Sequence, residues 1–377
     1  MKAYVGLVSI AASAIIAAMS TKADHASNAG ENQWEWVDGK DIPMEGRAFA
    51  DGATPYCRLP ASAKGKVVWG IWRMSQCTAG MQFRFVTDSR KLKFVWSLTG
   101  SELQARNMPL CSQSGIDVYS WRTKRPDGTV TDGEWWFRCA ATPTGQNGNE
   151  LEISWGGEKV PCLVNLPLYN GISEFKIGIQ KGTTIKPIAE PHRSGVTKPV
   201  VFYGGSIVQG CSASRPGTSW SNVVGRRLDV PIVNMGFNGQ GKMEDVFVDY
   251  LASVDASCYV FLNFGNMNVQ LCEERYEKFL RALHAKRPDV PFVIGQHCYY
   301  LNGRSPLHEF APKMVERLQR EDPEFAKFLH LVRIEDMFAP DSEGTVDGGH
   351  PNDWGGLHIA KAFASVIGNT LGIQGAK

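Results

Sequence analysis

The chain has little net charge to offer a partner: 40 Lys and Arg against 38 Asp and Glu leave a formal net charge of +2 over 377 residues. Like charges are scattered rather than gathered in blocks, so neither a phosphate polymer nor an anionic membrane surface is strongly attracted, and nucleic acid is not an expected partner. No C-x-x-C spacing occurs among the nine cysteines, which disfavours a zinc site or a thioredoxin-like motif. Their odd number leaves at least one free thiol if all pairing is intramolecular. Beyond the N-terminal stretch no apolar run is long enough to cross a bilayer. The loop "DGGHPND" could pass for a metal loop, but it has no second histidine or carboxylate pair at ligand spacing. A metal site is not expected.

The first residues, "MKAYVGLVSIAASAIIAAMSTKADHA", place Lys2 before an apolar stretch that ends in small residues. This is the pattern of a secretory signal peptide over residues 1–23, with an uncleaved anchor as the alternative. It predicts a secreted or periplasmic protein that leaves the membrane once the signal is cleaved. No cysteine closely follows the run, so a lipid anchor is not indicated.

At this length two domains are expected. Residues 33–185 read as short strands: in "KLKFVWSL" Leu92, Phe94, Trp96 and Leu98 alternate with more polar positions, and "KVVWGIW", "MQFRFV", "EWWFR" and "LEISW" look similar. Turn signals such as "PDG" and "QNGN" separate them, which predicts an antiparallel β-sandwich. Its aromatic residues are core by default, with a sugar-stacking platform as the alternative. The segment "TTIKPIAEPHRSGVTKP" predicts a surface linker. From residue 198 to 377 the regime changes. Apolar runs "KPVVFY", "VPIVNM", "CYVFLNF", "VPFVIG" and "HLVRIEDMF" alternate with helical patterns, which predicts an α/β domain of three layers around a parallel sheet. Such sheets bind ligands at the carboxyl ends of their strands.

Four segments put polar groups at those ends: Ser206 in "VFYGGSIVQG", Gly239 in "NMGFNGQGKM", Asn266 in "LNFGNMN", and Asp347 with His350 in "DGGHPND". A serine hydroxyl is a weak nucleophile that needs a base, which His350 could be, with Asp347 to fix its tautomer; Asp341 and Asp353 are the alternative acids. The N–H groups of Ser206 and Gly239 and the Asn266 amide could form an oxyanion hole. Singly, each is also an ordinary turn or loop residue.

In these four blocks the sequence resembles the SGNH hydrolase superfamily, the GDSL-type esterases. Ser206, Gly239, Asn266 and His350 match the family's Ser, Gly, Asn and His in order, and Asp347 takes its D-x-x-H position. Gly205 departs from the commonest members, which carry Asp before the serine. "GIDVY", Gly115 to Tyr119, resembles the G-x-D-L-Y motif of a branch with an N-terminal β-sandwich. The resemblance implies a flavodoxin-like catalytic domain behind an accessory sandwich, with catalytic Ser206, Asp347 and His350 and no cofactor. It implies a serine esterase or acyltransferase; export, the Trp-rich sandwich and the polar, Gly-punctuated run after Ser206, which offers no apolar lid, lead to an esterase for short acyl groups, acetyl first, on carbohydrate or similar polar substrates. The alternatives are an acyltransferase using the same acyl-serine, or an inactive carbohydrate-binding protein. On the esterase reading, removing residues 33–185 should impair polymeric substrates more than small aryl esters.

Overall fold

The computed structural model describes residues 33–157, 159–188, 192–298, 305–333, 335, 341 and 343–373. The signal peptide expected at residues 1–23 lies outside them.

Two antiparallel sheets face each other in the first half. One has the order Trp34–Asp38, Ile172–Gln180, Lys91–Leu98, Asn149–Ser154. The other runs Ile185–Pro187, Gln82–Thr87, Val160–Asn165, Ile116–Lys124, Val130–Ala141, with Met44–Glu45 paired to Gln82–Thr87. The period-two pattern decides which side faces in: Leu92, Phe94, Trp96 and Leu98 are all buried against Phe83, Phe85, Val164 and Phe175 from both sheets.

The second half is a five-stranded parallel sheet ordered Ile232–Gly236, Val200–Gly204, Cys258–Leu262, Phe292–Gly295, Leu329–Val332. This is the flavodoxin-like order, with a switch point beside the first strand of the series, Val200–Gly204. Its strands are apolar throughout because both faces are covered. Val200, Phe202, Ile232 and Val260 pack under helices Trp220–Leu228 and Asp353–Thr370. Val201, Tyr203, Met235 and Phe261 pack under Val246–Ser253, Val269–Lys286 and Pro306–Glu321.

Two features differ from the sequence expectation. "KVVWGIW" is not a strand: Trp69–Ser75 is a helix, and Val67, Ile71 and Met74, at helical spacing, join the core of the parallel-sheet half with Leu59 and Trp72. Beside it the Arg58 guanidinium, 1% exposed, donates to the carbonyls of Met74 (2.5 Å), Cys77 (2.8 Å), Asn234 (3.0 Å) and Gly236 (2.7 Å). Burial pushes its pKa down to about 10. Second, the segment expected as a linker is strapped down. Ile185–Pro187 is an edge strand on Gln82–Thr87, and the His192 ring lies 3.2 Å from Glu45 and 3.3 Å from Asp229, one carboxylate from each half. The aromatic residues of the first half divide: Trp36, Trp69 and Phe137 are exposed. Trp34, Trp96 and Trp155 are core, while Trp121 and Trp135 lie under Arg193 and Arg84 near this junction.

The G-x-D-L-Y-like motif has a physical role at the same junction. Asp117, fully buried, accepts from Arg215 Nη1 and the Gly217 N–H, each at 2.8 Å, and from Asn165 Nδ2 at 2.8 Å. The Tyr119 hydroxyl accepts from Arg215, and its ring lies under Arg226. Arg215 sits in the loop after Ser206, so the motif anchors that loop to the sandwich.

Candidate active site

The strand Val200–Gly204 ends in a sharp turn from which the short helix Ser206–Gln209 starts, leaving Ser206 at the carboxyl edge of the sheet. A Cβ at position 205 would lie 1.9 Å from Asn266 Nδ2, so a side chain here has to displace that amide. The departure from the family's commonest residue therefore has a local cause: Asn266 is packed onto the peptide that carries Ser206.

The structure brings Ser206, Asp347 and His350 together. Ser206 Oγ is 2.9 Å from His350 Nε2, and His350 Nδ1 is 2.7 Å from Asp347 Oδ2. Asp347 is held by its own loop: its Oδ1 accepts from the N–H groups of Gly349 (3.1 Å) and His350 (2.8 Å). Burial works to raise the Asp347 pKa, but these donors and the imidazole leave it below the usual value. The alternative acids lie elsewhere. Asp353 accepts from the Ser214 N–H at 2.8 Å and from its hydroxyl, and Asp341 accepts from Glu343 N–H.

Asn266 lies against the peptide of Gly205 and against the loop that carries Gly239. Asn266 Nδ2 donates to Gln240 O at 3.1 Å, which ties it to the loop of Gly239 and leaves its second proton for another acceptor. Gly239 has φ +71°, with open space where its Cβ would be. Among the described residues, the N–H groups of Ser206 and Gly239 donate to no protein group. A substrate oxyanion is the kind of acceptor such a set suits.

Sequence reasoning missed three neighbours. Cys211 lies beside His350, and with Asp347 it pushes the imidazole pKa up to about 9 against burial. Asn107, from the sandwich half, reaches toward Asp347 Oδ2 at 3.4 Å and Cys211 Sγ at 3.5 Å. Tyr169 donates from its hydroxyl to Ser206 O at 3.2 Å. Asn107 and Tyr169 lie far from Ser206 in sequence and share no spacing with it; Cys211 is close, but a lone cysteine carries no signal. All nine cysteines are free thiols. Among the described residues no three His, Cys, Asp or Glu side chains gather as a metal site would, and no helix is long and apolar enough to cross a membrane.

A flavodoxin-like sheet with a Ser–His–Asp chain at its carboxyl edge has the architecture of an α/β hydrolytic enzyme. The second half is a GDSL-like lipase/acylhydrolase domain, whose family model matches residues 197–368, and residues 34–185 match the G-x-D-L-Y model of the N-terminus of SGNH-hydrolase-type esterases. It is similar to a protein described as a GDSL-like lipase from Bacteroides ovatus: 27% identity, TM-score 0.79, covering 90% of this chain and 99% of that one. The salicylyl-acyltransferase of a tetracycline biosynthetic pathway shares the fold at 15% identity and TM-score 0.67, over 91% of this chain and 99% of its own. So does a family two carbohydrate esterase from Clostridium thermocellum, solved in complex with cellohexaose, at 11% identity and TM-score 0.52, over 78% and 93% of the respective chains. No curated relative matches the chain.

Proposed function

We propose that this protein is an exported serine esterase that removes short acyl groups, acetyl first, from carbohydrate or similar polar alcohols through an acyl-Ser206 intermediate. The observation that carries the reading is the continuous chain from Ser206 Oγ through His350 to Asp347, at 2.9 and 2.7 Å. With Nδ1–H donated to Asp347, the deprotonated imidazole presents Nε2 to accept the serine proton. Ser206 Oγ then bonds to the ester carbonyl carbon, and the resulting oxyanion is met by the Ser206 and Gly239 N–H groups and the Asn266 amide. Collapse breaks the ester C–O bond, and His350 returns the proton to the departing alcohol. A water activated by His350 completes the cycle, releasing the acid and restoring Ser206.

Two observations support a polar, ring-bearing alcohol. Trp354, 45% exposed, begins the helix just after His350, and Trp69, 70% exposed, precedes Gly70, which packs against the Gln240 side chain. Exposed indole faces beside a catalytic edge suit the apolar faces of sugar rings. The His350 side chain keeps 23% exposure, so water has access to the acyl-enzyme, which favours hydrolysis over transfer. Export rests on residues 1–23 alone.

The test is fluorophosphonate labelling of Ser206, followed by acid release from acetylated polysaccharides and small aryl acetates. A labelled Ser206 with acetate release supports the reading. An unlabelled serine with no release from any ester contradicts it.

A further inference from the structure

Beside Ser206 the structure has a narrow recess whose walls are Leu262, Asn263 and Phe264 from the end of the strand Cys258–Leu262, and His297 and Cys298 beyond Phe292–Gly295. Every one of these wall residues is buried, none more than 7% exposed. Ser206 and Asn266 stand at the recess, whereas His350 and Asp347 do not line it. The enclosed part has room for about one water-sized group, the size of a methyl.

This asymmetry assigns the two halves of an ester. The leaving oxygen takes its proton from His350, so the alcohol must lie on the His350 side and the acyl group must point the other way. That direction is the recess. We infer that the recess is the acyl pocket and that Leu262, Phe264, His297 and Cys298 limit the acyl group carried by Ser206 to two carbons. The inference rests on the serine-esterase reading and deepens it.

The wall is selective in two ways. Phe264 is 1% exposed and stacked on Tyr276, with ring centroids 5.0 Å apart, so it has little room to yield. The Asn263 amide donates to Gly241 O at 2.7 Å, but its Oδ1 is buried with no hydrogen-bond partner among the described residues. The bond to Gly241 fixes Asn263 in the wall. Burial and the neighbouring His308 push the His297 pKa down to about 4, so its ring is a neutral wall at neutral pH.

The experiment is a kcat/KM series over acetyl, propionyl and butyryl esters of one phenol, on the full chain and on His297→Ala and Leu262→Ala. In the unaltered protein each added methylene should lower kcat/KM by roughly tenfold or more. In either variant the butyryl-to-acetyl ratio should rise by about tenfold. Because the ratio is taken within one preparation, it does not depend on the fraction of protein that folds. A series that is flat or rises with length in the unaltered protein, with Ser206 labelled by fluorophosphonate, overturns the pocket and leaves the esterase. An unchanged ratio in both variants does the same. Failure to turn over any ester, with Ser206 unlabelled, overturns both.

Discussion

Asn266 and the peptide at Gly205 share one small volume, so a side chain at 205 must displace the amide that would steady the oxyanion. Gly205→Ala, and more so Gly205→Asp, should lower kcat by roughly 10²–10³, the usual loss of one oxyanion donor, while melting temperature stays near that of the unaltered protein. Full activity in Gly205→Asp would show that Asn266 has no such role. The imidazole gives a second handle. His350 is raised to about 9, first by Cys211 and then by Asp347, against burial. Since only the deprotonated ring can accept the serine proton, kcat/KM should climb as pH rises through an acidic limb lying above the ordinary 6.5. Cys211→Ala should move that limb to lower pH. A limb that stays put in Cys211→Ala would remove the thiol from the account. Ser206→Ala and His350→Ala should each abolish most turnover, and the double variant should be slower than the worse single by no more than a few-fold, because they act as one unit. Ser206, Gly239, Asn266, Asp347 and His350 were legible because each follows a strand in a fixed order. Asn107 was not, because it reaches Asp347 only after the two halves meet, and Cys211 was not, because a lone cysteine carries no spacing signal.

Strands were easier to recognise than a helix that departs from its surroundings. Trp69–Ser75 hides behind "KVVWGIW", whose β-branched and aromatic residues imitate a strand. Its helical spacing rests on three residues, Val67, Ile71 and Met74, too few to outweigh them. Once formed, it covers the parallel sheet rather than the sandwich, so Ile71→Ala, at a fully buried position, should cost about 2–5 kcal/mol in urea unfolding. A loss under about 1 kcal/mol would mean the helix is not part of that core. The strap around His192 carries a pH signature. Burial lowers its pKa, but Asp229 and Glu45 outweigh that and raise it. Its stabilising contribution is therefore fully present below about 6.5 and is lost as pH rises through the raised value. His192→Ala should flatten that part of the stability profile; an unchanged profile would place the dependence elsewhere.

At the scale of the molecule, the sequence suggested a detachable accessory module, and the contacts argue otherwise. Leu59, Ile71 and Trp72 belong to the core of the parallel-sheet half, Asp117 holds the loop after Ser206, and Asn107 reaches Asp347. Change of period along the chain shows where architectures alternate, but it cannot show which side chains cross between them. Deleting residues 33–185 should therefore abolish activity on small aryl esters as fully as on polymers, and the intact chain should unfold in one cooperative transition. A soluble, active fragment 198–377 would restore the modular picture. The central claim, acyl transfer through Ser206, is tested most directly by rapid acid quench of the protein turning over an aryl acetate, followed by mass analysis of its peptides. The account expects one acetyl group on the peptide carrying Ser206, lost in Ser206→Ala together with turnover. Acetyl found instead on Cys211, or turnover persisting in Ser206→Ala, would contradict it.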